Sequence, residues 1–331
     1  MSQKIRWGIL STGRIAEALA YAMSHLDDVE LVAVGSRNQE AADAFGDKFN
    51  IPHRHPTYEA LAHDPDVDAI YIATPHSHHH DNMHLCLNSG KHVLCEKAFT
   101  LNAKQAEACI ALAQEKGLFL MEAMWTRFLP STVLARQWIS EGVIGKVRRV
   151  YADLSANLAY NPEGRIYNLA LGGGALLDVG VYPVSFSQML LGEPSVIHAE
   201  AFIGATGVDE YEGMLFRYDD AGAVAHLSAG VRFQGANEAT ILGEKGYIRF
   251  HAPFHHSPRL TLALHGQAPQ TYDTPNTLNG YGYEVEECNR CIRAGKLESD
   301  IMPLRDTLTV MRLMDTLRER WGIRYAVAGE A

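Results

Sequence analysis

The sequence predicts an α/β protein with an N-terminal Rossmann dinucleotide-binding domain and a C-terminal α/β domain built on a large, mostly antiparallel open sheet. Three observations carry this. The turn Gly8-Ile9-Leu10-Ser11-Thr12-Gly13-Arg14-Ile15-Ala16 follows directly on the first strand signal. Strand and helix signals then alternate to about residue 122, the pattern of a parallel sheet covered on both faces. From about residue 125 strands follow one another through short turns, with few helices between them.

In chain order, residues 4–10 read as a strand and 15–24 as a helix entered from the glycine turn. Residues 29–35 form a second strand. Residues 39–49 carry Ala41, Ala42, Phe45 and Phe49 at helical spacing. The apolar run 69–74 is a strand stopped by Pro75, and a helix over 81–89 leads to the strand 92–95. Asn102 and Gln105 are spaced as a capping box for a helix over 102–115, which Gly117 ends; the strand 119–122 follows. In the second half, 147–154, 197–203, 210–217, 223–233 and 247–250 read as strands. Tyr281, Val285, Cys288 and Ile292 stripe one late helix, and Pro303 opens a last one carrying Leu304, Leu308, Met311 and Trp321. The expected domains are 1–122 and 123–331, with the final helix 303–321 packing back on the first.

A chain of 331 residues has room for two cores. A formal net charge of −10 argues against binding nucleic acid or an anionic membrane surface. No transmembrane span is expected, and residues 5–10 are too short for a secretory leader's apolar core. Five scattered cysteines are no disulfide framework, so a reduced, cytoplasmic enzyme is expected.

The turn matches the dinucleotide fingerprint in the register Ser11-x-Gly13-x-x-Ala16, with serine for the first glycine. Gly13 lets backbone approach a pyrophosphate and Ala16 allows close helix–strand packing. Serine tolerates positive φ poorly, so Ser11 is expected to weaken or reshape pyrophosphate binding. At the end of the second strand, where an acidic residue would hold the ribose 2′-hydroxyl of NAD, stands Gly35-Ser36-Arg37-Asn38. A hydroxyl followed by a guanidinium suits a 2′-phosphate, which favours NADP over NAD.

Lys97 follows Glu96 at a strand terminus, where an ammonium polarises a carbonyl or stabilises a developing alkoxide. Asp178 and Tyr182 lie four apart after the Gly172-Gly173-Gly174 run, so they share one helix face. A tyrosine near a lysine serves as a general acid or base, and a carboxylate orients a substrate. His76 and His79, after the strand 69–74, are expected near a bound nicotinamide. His80 and His84 have helical spacing, but a metal needs three or four convergent ligands and no second cluster is evident, so no metal is expected. Cys288-x-x-Cys291 lies late in a helix and reads as packing.

Together these residues resemble the Gfo/Idh/MocA oxidoreductase family. The resemblance runs through Trp7-Gly8-Ile9-Leu10-x-Thr12-Gly13-Arg14-Ile15-Ala16, Ala73-Thr74-Pro75-His76-x-x-His79, Gly90-Lys91-His92-Val93-Leu94-Cys95-Glu96-Lys97 and the segment 172–183. Met121-Glu122-Ala123-Met124-Trp125-Thr126-Arg127-Phe128, Tyr182 and Gly282-Tyr283-Glu284 make it most similar to the branch of dimeric dihydrodiol dehydrogenases and NADP-dependent D-xylose 1-dehydrogenases. The resemblance implies NADP held by Ser11, Thr12, Gly13, Arg14, Ile15, Ser36, Arg37, Asn38, Thr74, Pro75, His76, His79, Glu96 and Lys97. It implies Lys97 and Tyr182 as the catalytic pair with Asp178 beside them, and Trp125, Arg127, Arg165 and Tyr281 against a sugar or diol substrate. It also implies a homodimer, or a dimer of dimers, through the C-terminal sheet. The family's Glu-Lys-Pro is Glu96-Lys97-Ala98 here. A non-proline cis peptide costs about 2.5–4 kcal/mol, so the peptide before Ala98 is expected to be trans, or strained.

Overall fold

The computed structural model describes residues 4–326. The described chain divides into two compact units, one made of residues up to Trp125 with Thr277–Leu308, the other of Thr126–Asn276 with the chain from Thr309 onward.

The first unit opens with β1 (Ile5–Leu10), α1 (Arg14–Met23), β2 (Val29–Gly35), α2 (Gln39–Phe49), β3 (His53–His55), α3 (Tyr58–Ala62) and β4 (Ala69–Ile72). It continues with α4 (His79–Asn88), β5 (His92–Glu96), α5 (Ala103–Lys116) and β6 (Leu120–Ala123). All six strands pair in parallel in the order β3-β2-β1-β4-β5-β6, so the order reverses between β1 and β4. The carboxyl edge of the sheet at such a switch point is where open α/β sheets take ligands. β4 and β6 are buried at every position, and β1, β2 and β5 at all but one or two, which explains their apolar runs, while the edge strand β3 is half-buried. β4 ends at Ile72, so Ala73 and Thr74 belong to the turn, and α4 starts at His79, earlier than the expected 81. The cap on α5 forms as its spacing predicts: Gln105 N–H donates to Asn102 Oδ1 at 2.9 Å, and Gly117 ends the helix with φ +65°.

The second unit contains α6 (Pro130–Ser140), β7 (Val147–Ser155), α7 (Val181–Leu191), β8 (Val196–Ile203), β9 (Asp209–Tyr218), β10 (Ala223–Gly230), β11 (Ala239–Gly243), β12 (Gly246–Phe250), β13 (Arg259–Leu264) and β14 (Gln270–Asp273). Its eight-stranded sheet runs β14-β13-β12-β11-β7-β10-β9-β8. Of its pairings only β7 with β10 is parallel. α7 covers one face, against β7 and β10, and is buried along most of its length. On β9, burial alternates residue by residue from Tyr211 to Tyr218, the mark of a sheet with one covered face. α3, α6 and the strands β3, β11, β13 and β14 are not predicted from the sequence. The strands are short, and Ala239–Gly243 offers five residues with no polar alternation to announce it.

α8 (Gly282–Arg293) returns the chain to the first unit, whereas the sequence reading placed it in the second domain. The reason is specific contact. Trp7 Nε1 donates to Asn289 Oδ1 at 3.0 Å, Asn279 Nδ2 to the Ala18 carbonyl at 2.7 Å, and Arg293 pairs with Asp28 at 2.8 Å. The final helix, α9 (Leu304–Trp321), has its first residues in the first unit and the rest in the second.

The helical run Leu169–Leu191, with mean hydropathy 1.4, is long and apolar enough to cross a membrane, contrary to the expectation that no such stretch occurs. Its window is 83% buried inside the protein, which is how a core helix meets the same length and composition.

Candidate active site

The turn from β1 into α1 gives the first unit an open anion site. Gly13 precedes α1 with φ −76°, so its value is space rather than conformation. Among the described residues, a Cβ at Gly13 would meet no atom within 4 Å and no side chain caps α1, so its first N–H groups suit a phosphate. Ser11 adopts φ +97°, the region its replacement of glycine makes costly. Thr12 Oγ1 lies 3.5 Å from Ser36 Oγ, joining the ends of β1 and β2. Arg37 is exposed just beyond, and Asn38 caps α2 by accepting from Ala41 N–H at 2.8 Å. A pyrophosphate on the α1 turn and a 2′-phosphate at Arg37 fit these residues.

The carboxyl ends of β4, β5 and β6 complete this edge. Pro75 and Lys97 are partly exposed there, while Thr74 and Glu96 are buried. The Lys97–Ala98 peptide is cis, not trans. Glu96 accepts a short hydrogen bond from the Tyr71 hydroxyl. Trp125 stacks on Tyr281 with ring centroids 4.2 Å apart, joining the end of β6 to the start of α8.

His79 opens α4, just after the turn that follows β4. It is fully buried, with Nδ1 2.9 Å from the Ala98 carbonyl and Nε2 2.8 Å from the Thr74 carbonyl. Burial lowers its pKa to about 4 against the pull of those carbonyls, so the ring is neutral at physiological pH. A neutral ring donates to only one of these carbonyls, and its place between them sets the turns after β4 and β5 side by side. His76, also buried, stands edge-on to it at 5.7 Å.

In the second unit Asp178 and Tyr182 do fall on one helical run, but it begins as a π-helical turn, Leu176–Gly180, before α7. Such turns recur at functional sites. Asp178 Oδ1 accepts from Arg165 Nη1 at 2.7 Å. The Tyr182 ring lies 5.0 Å from that of His255. Arg127 lies in the short helical turn Trp125–Phe128 that follows β6. It is 2% exposed, and Nη2 donates to Gln188 Oε1 at 2.6 Å, which ties it to α7.

Several residues here gave no sequence signal. Asp209 accepts the Leu176 N–H at the head of the π-helical turn, and a Cβ at Gly174 would stand 2.2 Å from its Oδ1. Burial raises the Asp209 pKa to about 6. Glu212 is buried beneath Gly180, where a Cβ would meet its Oε1 at 2.5 Å; burial, then Asp209, push its pKa well up. In the first unit burial, followed by Glu96 and Glu122, likewise pushes the Glu284 pKa well up. Cys288 and Cys291 are buried on α8, and burial raises both thiols, as packing cysteines require.

Comparison with known proteins decides the family. The oxidoreductase family profile with an NAD-binding Rossmann fold matches residues 5–124, and the GFO/IDH/MocA C-terminal domain profile matches 132–249. The chain belongs to the Gfo/Idh/MocA oxidoreductase family. It is 37% identical to a trans-1,2-dihydrobenzene-1,2-diol dehydrogenase of Xenopus laevis, over 97% of this chain and 99% of that one. It is 34% identical to a D-xylose 1-dehydrogenase (NADP(+)) of Hypocrea jecorina, over 97% and 93%. Among solved structures, the aldose-aldose oxidoreductase of Caulobacter crescentus superposes with a TM-score of 0.87 at 25% identity, covering 97% and 98% of the two chains. A 3-ketoreductase from Actinomadura kijaniata, in complex with NADP and TDP-benzene, gives 0.85 at 26%, covering 96% and 98%. As a family member, the chain has the expected Rossmann sheet and mostly antiparallel second sheet.

Proposed function

We propose that this protein is an NADP-dependent dehydrogenase acting on the hydroxyl, or in reverse the carbonyl, of an aldose or a vicinal diol. The observation that carries this is Lys97 at the carboxyl end of β5, on the same sheet edge as the uncapped α1 turn. The full-length likeness to diol and xylose dehydrogenases supports the substrate class. When bound, NADP takes up or supplies the hydride. The protein's residues hold the rest of the chemistry. The α1 N-terminus and Gly13 hold the pyrophosphate, and Arg37 selects the 2′-phosphate. Tyr182 takes the hydroxyl proton in oxidation and returns it in reduction. Lys97 favours the negatively charged oxygen, and Asp178, held by Arg165, orients the substrate.

The direct test is NADP reduction by the purified protein across aldoses, inositols and trans-dihydrodiols. Turnover with an aldose or diol that is abolished in Lys97→Met, with NADPH binding retained, is the expected result. Equal turnover in that variant would sink the assignment.

The same reading includes a homodimer, or a dimer of dimers, through the uncovered face of the eight-stranded sheet. Tyr151, His226, Leu215 and His198 pair across β7, β10, β9 and β8 in one row on that face. They border a groove of about 620 Å³, and Phe202 and Tyr211 stack nearby, both exposed. Exposed apolar surface of this kind favours association. Light scattering should give a dimer or tetramer that Leu215→Arg dissociates; a monomeric parent protein would refute it. Five free thiols suit a reducing compartment, and we place the protein in the cytoplasm.

A further inference from the structure

α4 and α5 pack side by side in the first unit, and between them they bring together three soft ligands. His80 and His84 are one turn apart on α4, with ring centroids 4.4 Å apart. Cys109, on α5, is fully buried, with Sγ 3.9 Å from the His80 carbonyl. One ligand atom from each of the three lies within 4.8 Å of the others. The sequence alone stopped at the helical His pair, because Cys109 is 25 residues beyond His84 and only the packing of α4 on α5 delivers it.

Two details separate this cluster from incidental proximity. His84 Nε2 is buried without a hydrogen-bond partner among the described residues, an expensive arrangement for a polar atom. His80 Nδ1 is engaged by Asp81 Oδ1 at 2.7 Å, which leaves Nε2 for a ligand. A carboxylate holding the far nitrogen of a histidine is the usual support of a metal-bound imidazole. The other trio of potential ligands, His53, His55 and Asp64, is already satisfied internally: both rings bond the same Asp64 oxygen, at 2.7 and 2.8 Å.

We propose that His80, His84 and Cys109 form a Zn2+ site that clamps α4 to α5, with water in the fourth position. Two imidazoles and a thiolate match the ligand preference of Zn2+. Bond lengths of about 2.0–2.1 Å to nitrogen and 2.3 Å to sulfur place tetrahedral ligands roughly 3.3–3.6 Å apart, within reach of modest side-chain rotation. Both histidines are only half-buried, which leaves the solvent side open for the water. Binding replaces the Cys109 S–H bond with a metal–sulfur bond and releases one proton. Because that proton must leave for the metal to bind, affinity rises with pH.

The test uses Co2+ as a spectroscopic stand-in and Zn2+ as its competitor, on the full chain. One equivalent of Co2+ should give a thiolate-to-cobalt charge-transfer band, which one equivalent of Zn2+ abolishes. The band should vanish in Cys109→Ser, and His84→Gln should weaken Co2+ binding at least about tenfold. Zn2+ should raise the melting temperature of the parent protein but of neither variant. His84→Gln, at a half-buried position, keeps the test valid if Cys109→Ser fails to fold; NADPH binding monitors the fold of each. No band at stoichiometric Co2+, a band that survives in Cys109→Ser, or binding lost instead in His53→Ala would overturn the proposal.

Discussion

Arg165 Nη1 stands 2.7 Å from Asp178 Oδ1, so a half-exposed guanidinium on the loop before the glycine run fixes a buried carboxylate in the π-helical turn. An ion pair with one exposed partner adds little to stability, about 0–1 kcal/mol. Its consequence falls on the aim of Asp178 instead. Arg165→Ala should therefore leave the melting temperature within about two degrees of the parent, yet lower kcat/KM by roughly ten- to a hundredfold, since small misplacements of positioning groups cost that much. Steady-state kinetics beside a thermal melt separate the two effects. A large melting shift with unchanged kinetics would assign the pair to folding.

Tyr182 lies in the first turn of α7, and removing only its hydroxyl keeps the ring packed near His255. Tyr182→Phe should lower kcat by about 10²–10⁴-fold, the range for losing a general acid or base. NADPH affinity, measured by fluorescence titration, should stay within about twofold of the parent because the cofactor residues lie on other elements.

Ser11 at φ +97° occupies a conformation that costs a non-glycine residue about 1–2 kcal/mol. Glycine recovers that cost but loses about 0.5–1 kcal/mol through the unfolded chain. Ser11→Gly should stabilise by roughly 0.5–1 kcal/mol in urea unfolding, and Ser11→Val should destabilise by roughly 1–3 kcal/mol. A destabilised glycine variant would mean that the contact of Ser11 with Tyr58 outweighs the backbone term.

The candidate residues legible in the sequence are those with a local signature. The glycine turn, the strand-end Lys97 and the Asp178–Tyr182 spacing each announce themselves within a few residues, because backbone geometry there dictates residue type. Asp209, Glu212 and His255 have no such signature: each meets the π-helical turn or α7 only through a strand or loop 30 or more residues later in the chain. Arg127 carries both a local and a distant signal. Its position next to Trp125 suggests the substrate, but its guanidinium is bound to Gln188, a contact across 61 residues. α8 joins the first unit through the same kind of distant contact, since Asn289 meets Trp7 across almost the whole chain.

Arg37 is exposed at the end of β2, after the buried Ser36. A charge-assisted bond to a 2′-phosphate is worth about 1.5–3 kcal/mol. Arg37→Asp should therefore lower the ratio of kcat/KM for NADP to that for NAD by roughly 10–100-fold or more, because the new carboxylate repels the phosphate and accepts the ribose hydroxyls. An unchanged ratio, with both cofactors assayed at one substrate concentration, would move 2′-phosphate recognition elsewhere.

His79 and Asp209 should tilt stability with pH in opposite directions. Burial lowers His79 from 6.5 to about 4, so between those values the unfolded chain binds a proton that the folded one refuses. That contribution is complete above pH 6.5 and is lost as pH falls toward 4, on the order of 3 kcal/mol. Burial raises Asp209 from 3.8 to about 6, so in nearly the same window the folded chain keeps a proton that the unfolded one has released. This second contribution is complete below pH 3.8 and is lost as pH rises through 6, again on the order of 3 kcal/mol. The two nearly cancel in the parent protein. Removing either should expose the other: from pH 6.5 down to 4.5, the melting temperature of His79→Gln should rise relative to the parent's, and that of Asp209→Asn should fall, each by several degrees. Melts of the three proteins at five pH values across the window provide the check, with Asp209→Asn also relieving the push of Asp209 on the Glu212 carboxyl. Parallel curves would mean that neither side chain changes its proton affinity on folding.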